Sequence, residues 1–290
     1  MVHIHPMSVK NTELISLHGG HSGEFCDHAR DRLEDIVRQY IALGFTRVGI
    51  TEHMPPAVDA QRYDDEKETG KTAAHLQERF DRYFKTLDEL ARKYAHEIRI
   101  FRGMETEAYT GFAPHVEYLI QRHRPDYIVG SVHHVNDICF DYSTDHYQAA
   151  INSCGGIIEL YLAYFDLQLE LIQALEPFVV GHFDIIRIHD SDFADHLVQP
   201  QVWKKIQRNL DAIKDLKLNL DFNLRPLSAG KPDPYLAPPI LDAALERGIP
   251  VIPGDDSHGV HQAGIHVPHA IELLKKRGFS TQWPEPPQGK

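Results

Sequence analysis

The sequence predicts an α/β fold in which a parallel β-barrel forms one domain of 290 residues. Seven short segments rich in Ile, Val, Leu or Phe alternate with longer segments of helical periodicity, and the composition does not change along the chain. Such alternation builds a parallel sheet, and α/β barrels commonly form a single domain at this length. The seven alternations therefore predict a closed or nearly closed barrel.

The segments predicted as strands are short, apolar and bounded by turn-forming residues. They cover residues 14–17, 47–50, 98–101, 127–129, 178–180, 218–222 and 250–252. Segments with helical spacing and charged faces are predicted as helices over residues 31–43, 72–95, 147–175, 200–213 and 235–247. Gly44 and Gly248 each follow a predicted helix, where a residue in the left-handed conformation turns the chain back toward the sheet.

The whole chain, residues 1–290, is predicted to be one domain with an N-terminal arm over 1–12 and a flexible tail over 280–290. No stretch approaches the roughly eighteen apolar residues that span a membrane, and the first ten residues lack the core of a signal peptide. The three cysteines, Cys26, Cys139 and Cys154, form no CxxC pair, which fits a reducing compartment. A cytoplasmic protein without membrane partners is expected.

The charge of the chain argues against one class of partner. The net charge is −12, and no basic patch is present that could follow a phosphate backbone. No nucleic-acid partner is therefore expected.

Histidines and carboxylates follow nearly every predicted strand. The residues at these positions are His18, His21, Glu52, His53, Glu105, His133, His182, Asp184, Asp255, Asp256 and His258. Imidazole and carboxylate groups are ligands of divalent metals, and the C-terminal ends of barrel strands converge at one face. The sequence therefore predicts a multi-metal active site at that face.

The motifs that carry these residues occur in a characteristic order. They are LHGGHSGEFCDHA over residues 17–29, GITEHMP over 49–55, GME over 103–105, GSVH over 130–133, GHFD over 181–184 and DSH over 256–258. Together they resemble the PHP (polymerase and histidinol phosphatase) superfamily, and within it most closely the monofunctional histidinol-phosphate phosphatases. The resemblance covers residues 14–275.

This resemblance implies a distorted TIM-like (β/α)7 barrel with a metal site at the C-terminal ends of the strands. It implies a cluster of three divalent metals, commonly zinc, iron or manganese. The implied ligands are His18, His21, His28, His53, Glu105, His133, His182, Asp256 and His258. Glu105 is the expected bridging carboxylate, and Glu105, Asp256 and His258 are the expected catalytic residues.

The sequence departs from the family pattern at two places. The first motif is usually His-x-His, whereas His18 and His21 are separated by two glycines, and both imidazoles reach one site only if the glycines form a bulge. Glu52 stands where many relatives have aspartate, and its longer side chain either supports a ligand histidine or contacts the substrate.

Two arginines are candidates for binding a phosphate group. Arg187 lies five residues beyond His182, where related phosphatases usually carry Lys or Arg, and a guanidinium binds phosphate with two parallel hydrogen bonds. The alternative interpretation is a solvated loop arginine. Arg225, after the sixth predicted strand, is the second candidate.

Cys26 lies between two expected ligands and has two interpretations. A thiolate is a good zinc ligand, but the family pattern uses the histidine two positions later. Free cysteines are often buried and inert, and this interpretation is preferred.

The function expected from these observations is a metal-dependent phosphomonoesterase that hydrolyses L-histidinol phosphate in histidine biosynthesis. Closely spaced divalent ions would generate a hydroxide nucleophile and neutralise phosphoryl oxygens. The alternatives are a related phosphoesterase acting on another small phosphate ester or nucleotide, and a non-catalytic metal-binding or regulatory module. The expected partner is a small phosphorylated substrate, and the sequence leaves the oligomeric state open.

Overall fold

A six-stranded parallel sheet forms the centre of the molecule. The computed structural model describes residues 12–287. Its strands are β1 (Arg47–Ile50), β2 (Arg99–Glu105), β3 (Tyr127–Gly130), β4 (His134–Val135), β5 (Ile138–Cys139), β6 (Val179–Val180), β7 (Asn219–Asn223) and β8 (Val251–Gly254). The order in the main sheet is β1-β2-β3-β6-β7-β8, and all its pairs are parallel. β4 and β5 form a separate antiparallel hairpin.

The segment predicted as the first strand closes the gap between the two edges of this sheet. The amide of Leu17 donates to Pro253 O on β8 (3.1 Å), and the amide of Gly49 on β1 donates to Ser16 O (2.8 Å). Beyond it, Gly19 forms a parallel bridge with Ile50. The segment is too irregular to be a full strand, but it pairs with both edge strands. The predicted TIM-like barrel is confirmed, in a distorted form.

Helices cover the outside of the sheet. They are α1 (Leu33–Ala42), α2 (Asp64–Glu68), α3 (Ala73–Lys93), α4 (Phe112–His123), α5 (Thr144–Cys154), α6 (Ile157–Leu175), α7 (Phe193–Leu197), α8 (Pro200–Asp215), α9 (Arg225–Ser228), α10 (Pro238–Arg247) and α11 (Val267–Arg277). Helix α3 shows how they pack: its buried residues recur at helical spacing, and the hydroxyl of Tyr83 donates to Ile50 O and Gly103 O at 2.9 and 2.7 Å. Within residues 12–287, none of the helices is both long enough and apolar enough to cross a bilayer.

Several local predictions differ from the structure. The single helix predicted over residues 147–175 is two helices, because Gly155 adopts a φ of 89° and ends α5 before Gly156. The predicted elements do not include helices α2, α4, α7, α9 and α11 or the β4–β5 hairpin. The positive φ of Gly44 and Gly248 (85° and 68°) agrees with the expected helix ends.

The tail predicted over residues 280–290 is packed where the structure describes it. Trp283 is 7% exposed, and its indole Nε1 donates to Glu13 O at 2.9 Å. Glu285 pairs with Arg47 and Arg99 at 3.3 and 3.2 Å. A large aromatic side chain that can be buried fixes this segment, contrary to the prediction. Residues 288–290, and the predicted arm over 1–12 apart from Thr12, lie outside the described residues.

Candidate active site

The polar residues at the strand ends meet at one end of the barrel, as predicted. Glu105 ends β2, His133 follows β3, His182 follows β6, and Asp256 and His258 follow β8. All five are at least 93% buried. The C-terminal ends of parallel strands converge, and this places the side chains within a few ångströms of one another.

A first set of donor atoms surrounds Oε2 of Glu105. His18 Nε2 lies 3.2 Å from this oxygen and His21 Nε2 lies 3.5 Å from it. Oδ1 of Asp256 completes the set, 4.0 Å from His18 Nε2 and 3.2 Å from His21 Nε2. The four donor atoms lie within 4.8 Å of one another.

A second set surrounds the other carboxylate oxygen of Glu105. His182 Nε2 lies 2.9 Å from Glu105 Oε1, and His133 Nε2 lies 3.4 Å from it. The two imidazole nitrogens are 3.0 Å apart. Because its two oxygens face different groups of histidines, Glu105 has the geometry of a bridging carboxylate.

A third set lies beside the first two. One donor atom each from Cys26, His28, His53 and His258 lies within 4.8 Å of the others. His53 also reaches Glu105, with its Nδ1 3.3 Å from Oε2. All nine residues expected as ligands therefore occur in these three sets, and the third also contains a cysteine.

The donor atoms fit divalent metal ions. His18 Nε2, His21 Nε2 and Glu105 Oε2 are buried and make no hydrogen bond to the described residues. Zinc bonds to nitrogen and oxygen of about 2.1 Å in a tetrahedral site place ligand atoms about 3.4 Å apart, close to the 3.2–4.0 Å separations of the first set. Buried polar atoms without partners are costly, and a metal ion would satisfy them.

The two glycines of the first motif explain how His18 and His21 reach the same point. Gly20 adopts a φ of 61°, and a β-carbon there would lie 2.8 Å from Ile50 Cδ1. A β-carbon on Gly19 would lie 2.8 Å from Gly49 O. The glycines thus allow a tight turn against β1, and this turn compensates for the additional residue.

Three carboxylates support the imidazoles from the side away from the cluster. Asp221 Oδ2 lies 2.7 Å from His18 Nδ1, and Glu107 Oε2 lies 2.8 Å from His133 Nδ1. Glu52 Oε2 lies 3.7 Å from His21 Nδ1. The contacts of Asp221 and Glu107 are short enough to be hydrogen bonds, which orient histidine ligands and fix their tautomers, whereas the Glu52 contact is a longer electrostatic one.

The structure defines the surroundings of three further carboxylates. Glu52 was expected either to support a ligand histidine or to contact substrate; its side chain is fully buried near His21, and Ser22 donates to its Oε1 from both amide and hydroxyl at 2.8 Å. Asp184 and Asp255 also follow predicted strands. Asp184 accepts hydrogen bonds from Arg187 and two backbone amides, and Asp255 accepts them from Ser16, Tyr40 and the amide of Gly264.

Sequence reasoning missed Asp221 and considered Glu107 only as the next candidate after Glu105 for the bridging carboxylate. Asp221 lies on β7 between Leu220 and Phe222, and a charged residue inside a buried strand was the available signal. Glu107 lies two residues beyond Glu105 and contacts both His53 and His133.

Burial and charge together favour a cation at the cluster. Burial alone would raise the pKa of Glu105, but the charges of His18 and His53 hold that pKa well below its usual range. Burial opposes protonation of His21, yet its contact with Asp256 raises its pKa to about 9. Burial and then the charge of Arg225 hold the pKa of His258 well below its usual range, so this imidazole is neutral. Carboxylates that stabilise protonated histidines would equally stabilise a bound metal ion.

A cavity of about 770 Å³ opens onto the cluster. Its wall includes His53, Glu105, His133, His182, Asp256 and His258, together with both candidate phosphate-binding arginines, Arg187 and Arg225. Arg187 is not a solvated loop residue: only 10% of its side chain is exposed, and Asp184 Oδ2 and Pro234 O accept from its Nε and Nη2 at 2.9 and 2.6 Å. Arg225 donates to Asp256 O at 3.2 Å and contacts His258.

Comparison with known proteins identifies the family. Residues 17–224 match the model of the PHP domain, which covers more than half of the chain. The chain belongs to the PHP family. The matched residues include the whole first two motifs, Glu105, His133 and His182, while Asp256 and His258 follow β8 beyond them.

The PHP chain is also similar to individual relatives. It is 34% identical over 276 residues to the "Probable histidinol-phosphatase" of Schizosaccharomyces pombe, covering 92% of this chain and 88% of the relative. A crystal structure of a candidate histidinol phosphatase from Listeria monocytogenes matches with a TM-score of 0.74 and 24% identity, over 88% of this chain and 97% of that one. The Lactococcus lactis histidinol phosphate phosphatase, solved in complex with zinc, L-histidinol and phosphate, matches with a TM-score of 0.68 and 19% identity, over 92% and 95% of the two chains. These two structures support the barrel fold of this PHP domain.

Proposed function

We propose that this chain is a metal-dependent phosphomonoesterase that hydrolyses L-histidinol phosphate to histidinol and phosphate, a reaction of histidine biosynthesis. The observation that carries the proposal is the position of Glu105 between two sets of imidazoles on the wall of a cavity that also holds two arginines. The relatives named as histidinol phosphatases support the choice of substrate.

The donor sets support a cluster of up to three divalent ions, of zinc, iron or manganese. Imidazole nitrogen and carboxylate oxygen suit all three metals. Zinc is present in the Lactococcus lactis relative, which favours zinc here. Bound ions of this kind supply a hydroxide nucleophile at neutral pH and neutralise charge on the phosphoryl oxygens.

The residues of the chain itself position the substrate. Arg187 and Arg225 both line the cavity and can bind phosphoryl oxygens through charge-assisted hydrogen bonds. Asp184, Pro234 and the rings of Phe193 and Tyr235 hold Arg187 in place. Because the guanidinium is fixed before the ligand arrives, little conformational entropy is lost on binding.

The rest of the cavity wall suits a leaving group that carries positive charge. Asp141 lines the cavity, and the thiol of Cys139 donates to its Oδ1 at 3.2 Å. Aromatic rings of Tyr142, Phe193 and Tyr235 line the same cavity. Histidinol carries an ammonium group and an imidazole, which a carboxylate and aromatic faces can bind. Asp141 is therefore our choice for the residue that recognises the cationic part of the substrate.

Asp141→Asn tests this choice. The expected result is a KM for histidinol phosphate that rises about tenfold, because a charge-assisted contact becomes a neutral one. The KM for phenyl phosphate, whose leaving group carries no positive charge, should change little. Asp233→Asn, at the exposed part of the same wall, is the matched control and should change neither constant. An equal effect of Asp141→Asn on both esters would assign Asp141 a structural role instead.

A substrate panel tests the proposed activity as a whole. Purified protein of known metal content is assayed with histidinol phosphate, other small phosphate esters and nucleotides. We expect two to three equivalents of divalent metal, the highest kcat/KM for histidinol phosphate, and loss of activity on chelation. Full activity after exhaustive chelation would contradict metal dependence, and a higher kcat/KM for another ester would contradict the substrate.

A further inference from the structure

Cys26 belongs to the third donor set, and the nine ligands expected from the family do not include it. Its side chain is 97% buried, and its sulfur lies within 4.8 Å of donor atoms of His28, His53 and His258. A buried cysteine ordinarily packs as a small apolar side chain. Three imidazoles around the sulfur are not an apolar environment, and they indicate another role.

Donor atoms of the four side chains lie within 4.8 Å of one another, and the residues line two cavities. His258 lines the large cavity, Cys26 lines a small cavity together with Phe25 and Pro55, and His28 and His53 line both. The centroid of the His28 ring lies 5.4 Å from that of His53 and 5.2 Å from that of His258. The centroids of the His53 and His258 rings are 6.1 Å apart. Three imidazoles and one sulfur in this arrangement offer four ligands to a single ion.

The backbone fixes Cys26 in this position. The amide of Cys26 donates to Ser22 O at 2.8 Å, and the amide of Ala29 donates to Cys26 O at 3.3 Å. The turn between His21 and His28 therefore connects the first donor set to the third, with Cys26 facing inward. These hydrogen bonds hold the backbone of Cys26 next to the third donor set.

We propose that Cys26 is a thiolate ligand of the third metal ion, completing a Cys-His3 site with His28, His53 and His258. The thiol loses its proton to solvent when the ion binds. A soft thiolate among imidazoles favours zinc over manganese, so this site should select zinc even where the other two accept harder ions. The inference rests on the metal centre of the proposed function and does not depend on its substrate.

Cobalt(II) reports this ligand directly. The protein is stripped of metal, reloaded with cobalt(II) to full occupancy, and examined for the sulfur-to-cobalt charge-transfer absorption in the near ultraviolet. We expect the band in the wild type and in Cys154→Ser, whose sulfur lies on α5 next to Asn136 and Ser153. We expect its loss in Cys26→Ser and Cys26→Ala.

Metal affinity gives the second measurement. Competition with a zinc chelator should show one equivalent bound at least about tenfold more weakly in Cys26→Ser, with the others unchanged. A wild-type protein with no charge-transfer band at full loading would overturn the proposal. So would a band that survives in Cys26→Ser or disappears only in Cys139→Ser. The absorption is read without substrate, so its result is independent of whether histidinol phosphate is hydrolysed.

Discussion

Nδ1 of His18 lies 2.7 Å from Oδ2 of Asp221, a fully buried contact between the first donor set and strand β7. Asp221 is placed to accept a hydrogen bond from Nδ1, which leaves Nε2 facing Glu105 and Asp256 as the atom available to a metal ion. The same oxygen accepts from Asn223 Nδ2 at 2.9 Å and from the amide of His182 at 3.2 Å. Asp221 thus connects two histidines of different donor sets.

We expect Asp221→Asn to weaken the binding of metal at the first donor set by about 10- to 100-fold. The amide that replaces the carboxylate offers a donor to His18 Nδ1, which favours the tautomer whose proton sits on Nε2. Chelator competition measures the affinity, and circular dichroism checks the fold. Asp166→Asn, in a surface pair with Lys205 and Arg208, is the control and should leave the metal affinity unchanged. A metal affinity in Asp221→Asn equal to that of the wild type would show that the contact does not orient His18.

We expect Glu105→Gln to lower turnover by at least about 100-fold. Each oxygen of Glu105 faces its own set of histidines, and the amide can supply only one neutral acceptor. Glu107→Gln is the comparison, because Glu107 supports His133 and His53 without joining the first two sets. The loss of turnover in Glu107→Gln should be smaller than that in Glu105→Gln. If the order of the two effects were reversed, Glu107 would be the bridging carboxylate.

The sequence was sufficient to predict the fold, because the strand segments have a clear hydrophobic pattern. The family resemblance implied that the nine expected ligands share one site; most of them follow a predicted strand, whereas His28 lies in the loop after the first. It could not decide whether His18 and His21 share a site. That depended on the left-handed backbone of Gly20 and its contact with Ile50, which spacing alone does not specify.

The supporting residues were harder to predict than the ligands. Asp221 comes from β7 and contacts a histidine 203 positions away, and no local pattern connects two residues so far apart. The environment of Arg187 depends equally on Pro234 and Tyr235, from a loop that no motif marked. Long-range pairing of this kind follows from the closed barrel and becomes visible only when the strands are assembled.

Trp283 provides a test of the C-terminal segment. We expect Trp283→Ala to lower the free energy of unfolding by about 3 kcal/mol, because it empties a buried indole site. Trp283→Phe keeps most of the apolar contact and removes only the hydrogen bond to Glu13 O, so about 1 kcal/mol is expected. Gln282→Ala, at the exposed neighbouring position, should stay within about 0.5 kcal/mol of the wild type. Denaturant unfolding measures all three variants. An unfolding midpoint of Trp283→Ala equal to that of the wild type would show that the segment does not pack in solution.

Arg187 separates substrate binding from metal binding. Its Nε and Nη2 are occupied by Asp184 and Pro234, while the guanidinium as a whole lines the cavity. Arg225 differs, since it contacts His258 and the carbonyl of Asp256 and so lies against the metal-binding residues themselves.

We expect Arg187→Ala to raise KM for a phosphate monoester about 10- to 100-fold and to weaken competitive inhibition by inorganic phosphate to the same degree. The reason is the loss of charge-assisted hydrogen bonds worth about 1.5–3 kcal/mol. Metal content should not change. Arg187→Lys keeps the charge but loses the two-pronged geometry, so an intermediate KM is expected. Arg225→Ala should alter phosphate inhibition and metal affinity together. Inhibition by phosphate that is identical in Arg187→Ala and the wild type would show that Arg225 and the metal ions hold the phosphoryl group without Arg187.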